Sequence, residues 1–181
     1  GCTATSTVNI TQNITPPNVN AGAPQVLSCS VSSINLTGSS STGGATFSWA
    51  GPGIVSGGTT ATPTVNQAGT YILTVTNPVN GCTSTANTTV TNDLGLPNAS
   101  AGAAQILNCS VTSIVLGGSS STAGVTFSWA GPGIVSGGTS ATPTVNQPGS
   151  YTITVTDPSN GCTTTSSANV TQNITPPNAN A

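Results

Sequence analysis

The chain has 181 residues with no lysine, arginine or histidine and only two acidic side chains, so its formal net charge is −2. General acid–base catalysis needs side chains that titrate near neutral pH, and nucleic-acid binding needs cations that neutralise phosphates. This composition argues against an enzyme and against a nucleic-acid-binding protein, and it predicts no catalytic residue and no cofactor.

The sequence is a tandem repeat. The stretch TFSWAGPGIVSGGT begins at Thr46 and returns letter for letter at Thr126, an offset of 80 residues. A repeat period sets the domain organisation before any other signal is weighed. We therefore expect the closing strand of a preceding repeat at 1–15, β-sandwich repeats at 16–95 and 96–175, and the start of a following repeat at 176–181.

The two ends of the chain are expected to be cuts through a longer array. Residues 1–15 match residues 161–175, the expected closing strand of the second repeat. A closing strand on its own is unstable, so this segment must complete another module. Two arrangements satisfy that requirement: a window cut from a much longer polypeptide, or separate subunits joined by donation of this strand.

Short alternations of apolar and polar residues predict β-strands along each repeat. One side of each strand is apolar and the other polar, which indicates one buried and one wet face. Several such strands, spaced by about ten residues, are typical of an immunoglobulin-like two-sheet sandwich. In chain order the apolar members are Val8 with Ile10, Ile34 with Leu36, Phe47 with Trp49, and Tyr71 with Leu73 and Val75. The aromatic residues expected in the two cores are Phe47, Trp49, Tyr71, Phe127, Trp129 and Tyr151.

Five cysteines recur with the repeat. Each full repeat carries two, and Cys2 is left over, with its partner expected outside this segment. A pair at fixed positions is typical of a structural disulfide in an oxidising compartment, and five buried free thiols are the alternative. The expected bonds join Cys29 to Cys82 and Cys109 to Cys162.

Metal binding is not predicted. Zinc sites need histidines or closely spaced cysteine pairs, and calcium sites need several carboxylates around one ion. Asp93, in the stretch TNDLGLPN, is the one place where a calcium site could be sought, but a solitary carboxylate is more often a turn residue.

Asn-x-Ser/Thr triplets are frequent, as they must be in a chain this rich in asparagine, serine and threonine. Three of them fall on expected outward positions of strands, at Asn9, Asn35 and Asn169. These three are candidate glycosylation sites.

The repeats resemble the PKD-like and immunoglobulin-like modules of very large surface proteins of Bacteroidota, of the adhesin or gliding-motility type. PPNVNAGAPQVLSC at the start of a module, SWAGPGIVSGGTTATPTVNQAGTYILTVT through its middle and NGCTATSTVNITQ at its close carry this resemblance. The resemblance implies an extracellular, cell-surface location reached by the type IX secretion route. This chain departs from many relatives in lacking their acidic residues, which weakens any implied calcium binding.

Two functions remain open at this point. The first is a non-catalytic structural repeat of a surface fibre or adhesin stalk, an extended rod whose partners are neighbouring repeats of the same chain or identical chains. The second is an adhesive module that binds glycans or another surface. Binding modules display aromatic or charged side chains on variable loops, whereas the loop AGPGIVSGGT is identical in both repeats. No apolar stretch is long enough for a membrane-spanning helix, so membrane insertion of this segment is not expected.

Overall fold

The computed structural model describes residues 1–175, and these residues contain β-strands and no helix. The chain divides into two compact units: unit 1 holds Gly1–Leu27 and Ser32–Asn92, and unit 2 holds Ser28–Val31 and the described residues from Asp93 onward. Within the described range there is thus no helix that could cross a membrane. The predicted fold class, tandem all-β sandwich modules, is confirmed.

Unit 1 is built from seven strands in two sheets. The four-stranded sheet has the order β1-β7-β6-β3 and the three-stranded sheet has the order β2-β5-β4. Short strands separated by glycine- and proline-rich turns favour this two-layer arrangement over a single large sheet. The strands are β1 (Gln25–Ser28), β2 (Ile34–Asn35), β3 (Thr46–Ala50), β4 (Ile54–Ser56), β5 (Thr64–Val65), β6 (Gly69–Thr76) and β7 (Thr83–Asp93).

Unit 2 repeats this plan with the sheet orders β10-β13-β14-β8 and β11-β12-β9. The long strands of its larger sheet pair antiparallel, while β14 pairs with β8 in parallel. Its strands are β8 (Gln105–Asn108), β9 (Ile114–Val115), β10 (Thr126–Ala130), β11 (Ile134–Ser136), β12 (Thr144–Val145), β13 (Gly149–Thr156) and β14 (Thr163–Asn173).

The core of unit 1 follows from the period-2 pattern of β3 and β6. Trp49 lies opposite Leu73 in the antiparallel register, and both side chains point into the unit. Tyr71, Leu73 and Val75 are fully buried, and Phe47 packs against the same cluster while only partly buried. Unit 2 has the equivalent arrangement, with Trp129, Tyr151, Ile153 and Val155 buried and Phe127 partly buried.

The polar atoms of the two core aromatics in each unit find main-chain partners. Trp49 Nε1 donates to the carbonyl oxygen of Thr60 at 3.1 Å, and the Tyr71 hydroxyl donates to the carbonyl oxygens of Pro52 and Gln67. A tyrosine at the start of a late strand that bonds to the main chain a few residues upstream is the tyrosine corner of immunoglobulin-like sandwiches. Each core therefore contains large aromatic rings without leaving their polar ends unpaired.

Residues 1–15 contain no strand, unlike the segment of matching sequence in β14. The side chains of Val8 and Ile10 are 85% and 92% exposed. The sequence pattern predicts a strand here, but β14 obtains its ladder from β13 and β8, and residues 1–15 have no equivalent neighbours within the described chain. Without a partner the alternating pattern does not form a strand.

Candidate functional site: a cross-linked turn in unit 2

Residues 157–162 form a tight turn between β13 and β14, which we call the second cysteine turn. The Asp157 amide donates to the carbonyl oxygen of Cys162 at 2.9 Å, and the Gly161 amide donates to that of Asp157 at 2.8 Å. Gly161 has a φ of 73°, a left-handed conformation that glycine adopts without a steric penalty. The sequence DPSNG supplies the residue types that such a turn needs.

The Asp157 side chain holds the start of this turn. Its Oδ1 accepts hydrogen bonds from the Ser159 hydroxyl at 2.6 Å and from the Ser159 amide at 2.9 Å. These bonds favour the ionised carboxylate, so they lower the pKa of Asp157 below its ordinary value. The hydroxyl bond makes the larger contribution to this shift.

The Asn160 side chain fixes the turn from inside the unit. Its Nδ2 donates to Asp93 Oδ1 at 3.0 Å and to the carbonyl oxygen of Gly95 at 2.9 Å. Its Oδ1 accepts from the Cys162 amide at 2.9 Å. Asn160 is one of two buried polar residues among residues 1–175, and these three bonds satisfy its amide. Asp93, the carboxylate considered for calcium, thus lies beside an amide donor.

A short loop at Ser28–Val31, which we call the first cysteine loop, covers the turn. The Ser28 amide donates to the carbonyl oxygen of Val31 at 3.0 Å, which closes the loop on itself. The Ser30 amide and hydroxyl both donate to the carbonyl oxygen of Asn160, at 3.1 and 3.3 Å. The main chain of the turn is therefore bonded to a segment that belongs to the first repeat in sequence.

A disulfide joins this loop to the turn. Cys29 and Cys162 are bonded with a Cα–Cα distance of 5.0 Å, and they are 133 residues apart in sequence. Cys162 is completely buried. The site is a disulfide set in a small network of hydrogen bonds.

This bond corrects the predicted pairing. The expected bonds, Cys29 to Cys82 and Cys109 to Cys162, are not formed; Cys2, Cys82 and Cys109 carry free thiols in the described part of the chain. The repeat period fixes which positions carry cysteine. It is equally compatible with bonds inside one repeat and with bonds from one repeat to the next, so it does not determine the pairing. The choice depends on which Cα atoms approach within about 7 Å, and the loop of Cys29 lies in unit 2.

The three candidate glycosylation sites, Asn9, Asn35 and Asn169, all have exposed side chains. Asn35 Oδ1 accepts a hydrogen bond from the Thr64 hydroxyl at 2.8 Å. Asn169 lies on the outer face of β14. Their modification stays a prediction.

No family model matches the chain, and no curated protein matches it in sequence. Among solved structures it is similar to the I-band fragment I67–I69 from titin, at 14% identity over 90% of this chain and 67% of that one, with a TM-score of 0.42. It is also similar to extracellular domains 3–5 of Drosophila OTK, at 12% identity over 87% and 62% of the two chains and a TM-score of 0.40. The three N-terminal domains of the bacteriophage RB49 outer capsid protein Hoc match at 15% identity over 86% and 58%, with a TM-score of 0.47.

The chain therefore spans less than two thirds of the OTK and Hoc chains that it matches. These likenesses are too distant to carry an argument about function. The immunoglobulin-like character of each unit follows instead from its own sheet order, buried tryptophan and tyrosine corner.

Proposed function

We propose that this chain is a load-bearing structural repeat of an extracellular fibre or adhesin stalk, of the kind that its sequence resembles in Bacteroidota. It is non-catalytic, it reaches the cell surface by type IX secretion, and its modules follow one another as a rod. Its partners are further repeats, in the same chain or in identical chains.

The observation that carries this proposal is the bond between Cys29 and Cys162. It closes a covalent loop over 133 residues, which includes β2 to β13. Tension applied at the two ends of the chain passes through the disulfide and bypasses the strands inside that loop. Structural disulfides of this kind persist in oxidising, extracellular environments.

The chemistry of the exposed sheet faces supports the same role. Hydroxyl and amide side chains occupy nearly all outward positions of β7 and β14, and Asp93 at the end of β7 is the one charged residue among them. Such a surface depends little on salt, because it offers almost no charge to screen. These residues are Thr83, Thr85, Asn87, Thr89 and Thr91 in unit 1 and Thr163, Thr165, Ser167, Asn169 and Thr171 in unit 2.

A glycan-binding role has less support. The outer face of β6 and β7 carries an open depression of about 270 Å³ lined by Thr70, Ile72, Thr85, Ala86 and Asn87. The matching position in unit 2 has Thr152 in place of Ile72, and the Thr152 hydroxyl is hydrogen-bonded to that of Ser167 at 2.9 Å. A depression that is altered between the repeats and has no aromatic ring is a poor sugar site.

Strand donation is the second candidate arrangement for the whole assembly. The exposed Val8 and Ile10 match the apolar face of β14, which favours insertion of residues 1–15 into a neighbour. Both units, however, already contain their own closing strand, β7 and β14. An acceptor must therefore lack that strand, and neither unit of this chain qualifies.

The load-bearing role is tested by pulling single molecules of the 181-residue chain from its two ends. With the disulfide intact, the fully extended chain should be shorter by about 133 residues, or ~480 Å at ~3.6 Å per residue, than after reduction. A triple variant, Cys2→Ser, Cys82→Ser and Cys109→Ser, serves as the control and should keep the short extension. Equal extension with and without reductant would contradict the proposal.

The surface location needs a separate measurement. Intact cells that express the native protein are treated with a protease of broad specificity, since the chain has no lysine or arginine for trypsin to cut at. Release of peptides from this segment supports the location. Their release only after lysis would exclude a surface fibre.

A further inference from the structure

The two elements that meet in the cross-linked site each occur a second time without a bond. Unit 1 has a first cysteine turn at residues 77–82, ending in the free Cys82. Unit 2 has a second cysteine loop at residues 108–111, containing the free and exposed Cys109. Both stand 80 positions from their bonded counterparts, so each is half of the same site.

The first cysteine turn is already in the bonded conformation. The Asn77 amide donates to the carbonyl oxygen of Cys82 at 2.9 Å, and the Cys82 amide donates to Asn80 Oδ1 at 3.0 Å. Asn80 Nδ2 donates to Asn13 Oδ1 and to the carbonyl oxygen of Thr15, each at 3.0 Å. These are the contacts that Asn160 makes with Asp93 and Gly95 in unit 2, shifted by one repeat.

The first cysteine turn differs from the second in having no cysteine loop packed on it. A Cβ atom placed on Gly161 would lie 2.5 Å from Ser30 Cβ, whereas one on Gly81 would meet nothing within 4 Å. Cys162 is completely buried, whereas Cys82 is partly exposed. The difference between the two turns is the loop that sits on one of them.

The second cysteine loop is preformed as well. The Asn108 amide donates to the carbonyl oxygen of Val111 at 3.0 Å, the same closure that Ser28 and Val31 make. Asn108 Oδ1 accepts from the amides of Ser110 and Val111, at 2.9 and 2.8 Å. The loop therefore holds its shape without any disulfide, and a preformed half-site loses little entropy on binding.

An open concavity of about 390 Å³ lies beside this loop. Two of its lining residues, Asn173 and Thr175, occupy the repeat positions of Asp93 and Gly95, which hold the Asn160 side chain in the bonded site. They are also the positions of Asn13 and Thr15, which hold Asn80 in unit 1. The full lining is Asn108, Cys109, Ser110, Val111, Asn173 and Thr175.

From these matching halves we infer that the second cysteine loop is the docking and cross-linking site for the Asn-Gly-Cys turn of a following copy of the repeat in the same polypeptide. The incoming asparagine donates to Asn173 Oδ1 and to the Thr175 carbonyl oxygen, as Asn160 does to Asp93 and Gly95. The main-chain carbonyl oxygen of the incoming asparagine accepts a hydrogen bond from the Ser110 amide. That amide gives up its present bond to Asn108 Oδ1. By the same rule Cys82 bonds the loop cysteine of a preceding copy, so that every repeat is stapled to the next.

The covalent step is a thiol oxidation. The Cys109 thiol and the incoming thiol lose two protons and two electrons as the S–S bond forms. A small-molecule disulfide is the oxidant, and its own S–S bond is reduced to two thiols in the same exchange. This assignment goes beyond the load-bearing role, because it names the partner and the contacts of two cysteines that the proposed function leaves free.

The test uses the chain extended after residue 175 by one more copy of residues 96–175. The protein is oxidised with glutathione disulfide, free thiols are alkylated, and peptides from a protease of broad specificity are mapped without reduction. The expected bonds are Cys29 to Cys162 and Cys109 to the added counterpart of Cys162, with Cys2, Cys82 and the added counterpart of Cys109 alkylated. Alkylation of Cys109, or its bonding to Cys162 of its own repeat, would overturn the inference.

Two variants of the extended chain test whether the new disulfide forms because the turn docks on the second cysteine loop or only because two thiols meet at random. Cys109→Ser should leave the added turn cysteine alkylated and the bond between Cys29 and Cys162 intact. Asn173→Ala should lower the equilibrium constant for forming the new bond in a glutathione buffer by about tenfold, since it removes one buried hydrogen bond. An unchanged constant would show that the concavity does not hold the incoming asparagine.

The unextended 181-residue chain decides whether the occupant is in the same polypeptide. Under the same oxidation it should remain monomeric, with Cys82 and Cys109 both alkylated. The contrary result is multimers in which Cys82 of one chain is bonded to Cys109 of another, formed as fast as the internal bond of the extended chain. It would show that the occupant of the second cysteine loop is a separate chain and not a following repeat. The pulling experiment depends only on Cys29 and Cys162, so it can succeed or fail independently of this result.

Discussion

The hydroxyl of Tyr71 donates a hydrogen bond to the carbonyl oxygen of Gln67, four residues earlier, at 2.6 Å, and Tyr151 does the same with Gln147. Each hydroxyl also donates to a proline carbonyl, of Pro52 or Pro132. The ring is completely buried in both units. The tyrosine therefore ties the turn before β6 or β13 to the loop after β3 or β10.

Tyr71→Phe should destabilise unit 1 by about 1–3 kcal/mol, because two carbonyl oxygens lose a buried donor while the ring still fills the core. Hydrogen exchange followed by mass spectrometry, with urea as the perturbant, reports the two units separately. Exchange should increase in peptides of unit 1 and stay unchanged in unit 2. Thr70→Ser, an exposed neighbour on the other face of β6, is the control and should change neither.

Stability should fall at alkaline pH because of the same two residues. Burial raises the pKa of Tyr71 and Tyr151. The folded state therefore favours the neutral phenol, and its stabilising contribution is complete below the unfolded pKa of about 10. It is lost as the pH rises through the higher folded pKa.

Urea unfolding between about pH 8 and about pH 11 measures this loss. The double variant Tyr71→Phe and Tyr151→Phe contains no tyrosine, since the chain has two. It should be less stable than the parent at neutral pH but should lose less stability toward alkaline pH. A parallel decline in both proteins would show that other groups cause it.

The strand pattern was predictable because it depends on local alternation. Successive side chains of a strand point to opposite faces. Trp49, Tyr71, Leu73 and Val75 occupy the alternate positions that carry apolar residues, and all four are buried. Residues 1–15 carry the same signal yet form no strand. A strand needs hydrogen-bonding neighbours as well as a pattern, and no local signal reports whether those neighbours are present.

The cross-linked turn could be predicted only in part. The Asn-Gly-Cys triplet and its recurrence were visible in the sequence, but the roles of Ser30, Asn160 and Asp93 depend on which segments approach one another. One signal was available: residues 13, 93 and 173 are Asn, Asp and Asn, so each copy keeps a side-chain oxygen at this position. That oxygen accepts from the turn asparagine in both units.

Asp157→Asn should remove an acid-sensitive contribution to the stability of unit 2. The lowered pKa of Asp157 means that its carboxylate stabilises the fold above the unfolded pKa and that this contribution is lost as the pH falls through the folded pKa. Unit 1 has Asn77 at the equivalent place, where its Oδ1 accepts from the Val79 amide at 3.0 Å. The variant should keep the turn and show a flatter stability profile below about pH 4, as measured by urea unfolding; an identical acid profile would contradict this.

Replacing both members of the disulfide, with Cys29→Ser and Cys162→Ser, should lower the free energy of unfolding by about 5 kcal/mol. The chain-entropy relation gives this value for a loop closed over 133 residues. Cys82→Ser is the matched control and should leave the denaturation midpoint unchanged. If Cys82→Ser costs as much as Cys29→Ser, the bond runs within the first repeat and the staggered pairing is wrong.

The two turn glycines provide a matched pair, because they share a conformation and differ in their surroundings. Gly81 and Gly161 have φ values of 72° and 73°, so an alanine at either position carries the left-handed penalty of about 1–2 kcal/mol. At Gly161 the new Cβ also meets Ser30, at 2.5 Å from its Cβ and 2.9 Å from its Oγ. Gly161→Ala should therefore cost more than Gly81→Ala in urea unfolding and should lower the yield of the bond between Cys29 and Cys162 during oxidative refolding.

A second-site change identifies the cause of that difference. Ser30→Gly removes the two side-chain atoms that an alanine at position 161 would strike, while the amide of residue 30 can still donate to the Asn160 carbonyl oxygen. In the double variant, Gly161→Ala with Ser30→Gly, the cost of the alanine should fall toward that of Gly81→Ala, because the two side-chain contacts are gone and only the main-chain nitrogen of residue 30, at 3.1 Å, still lies close to the new Cβ. The coupling energy from the four proteins of this double-mutant cycle measures the contact. A coupling near zero would mean that the first cysteine loop does not rest on Gly161.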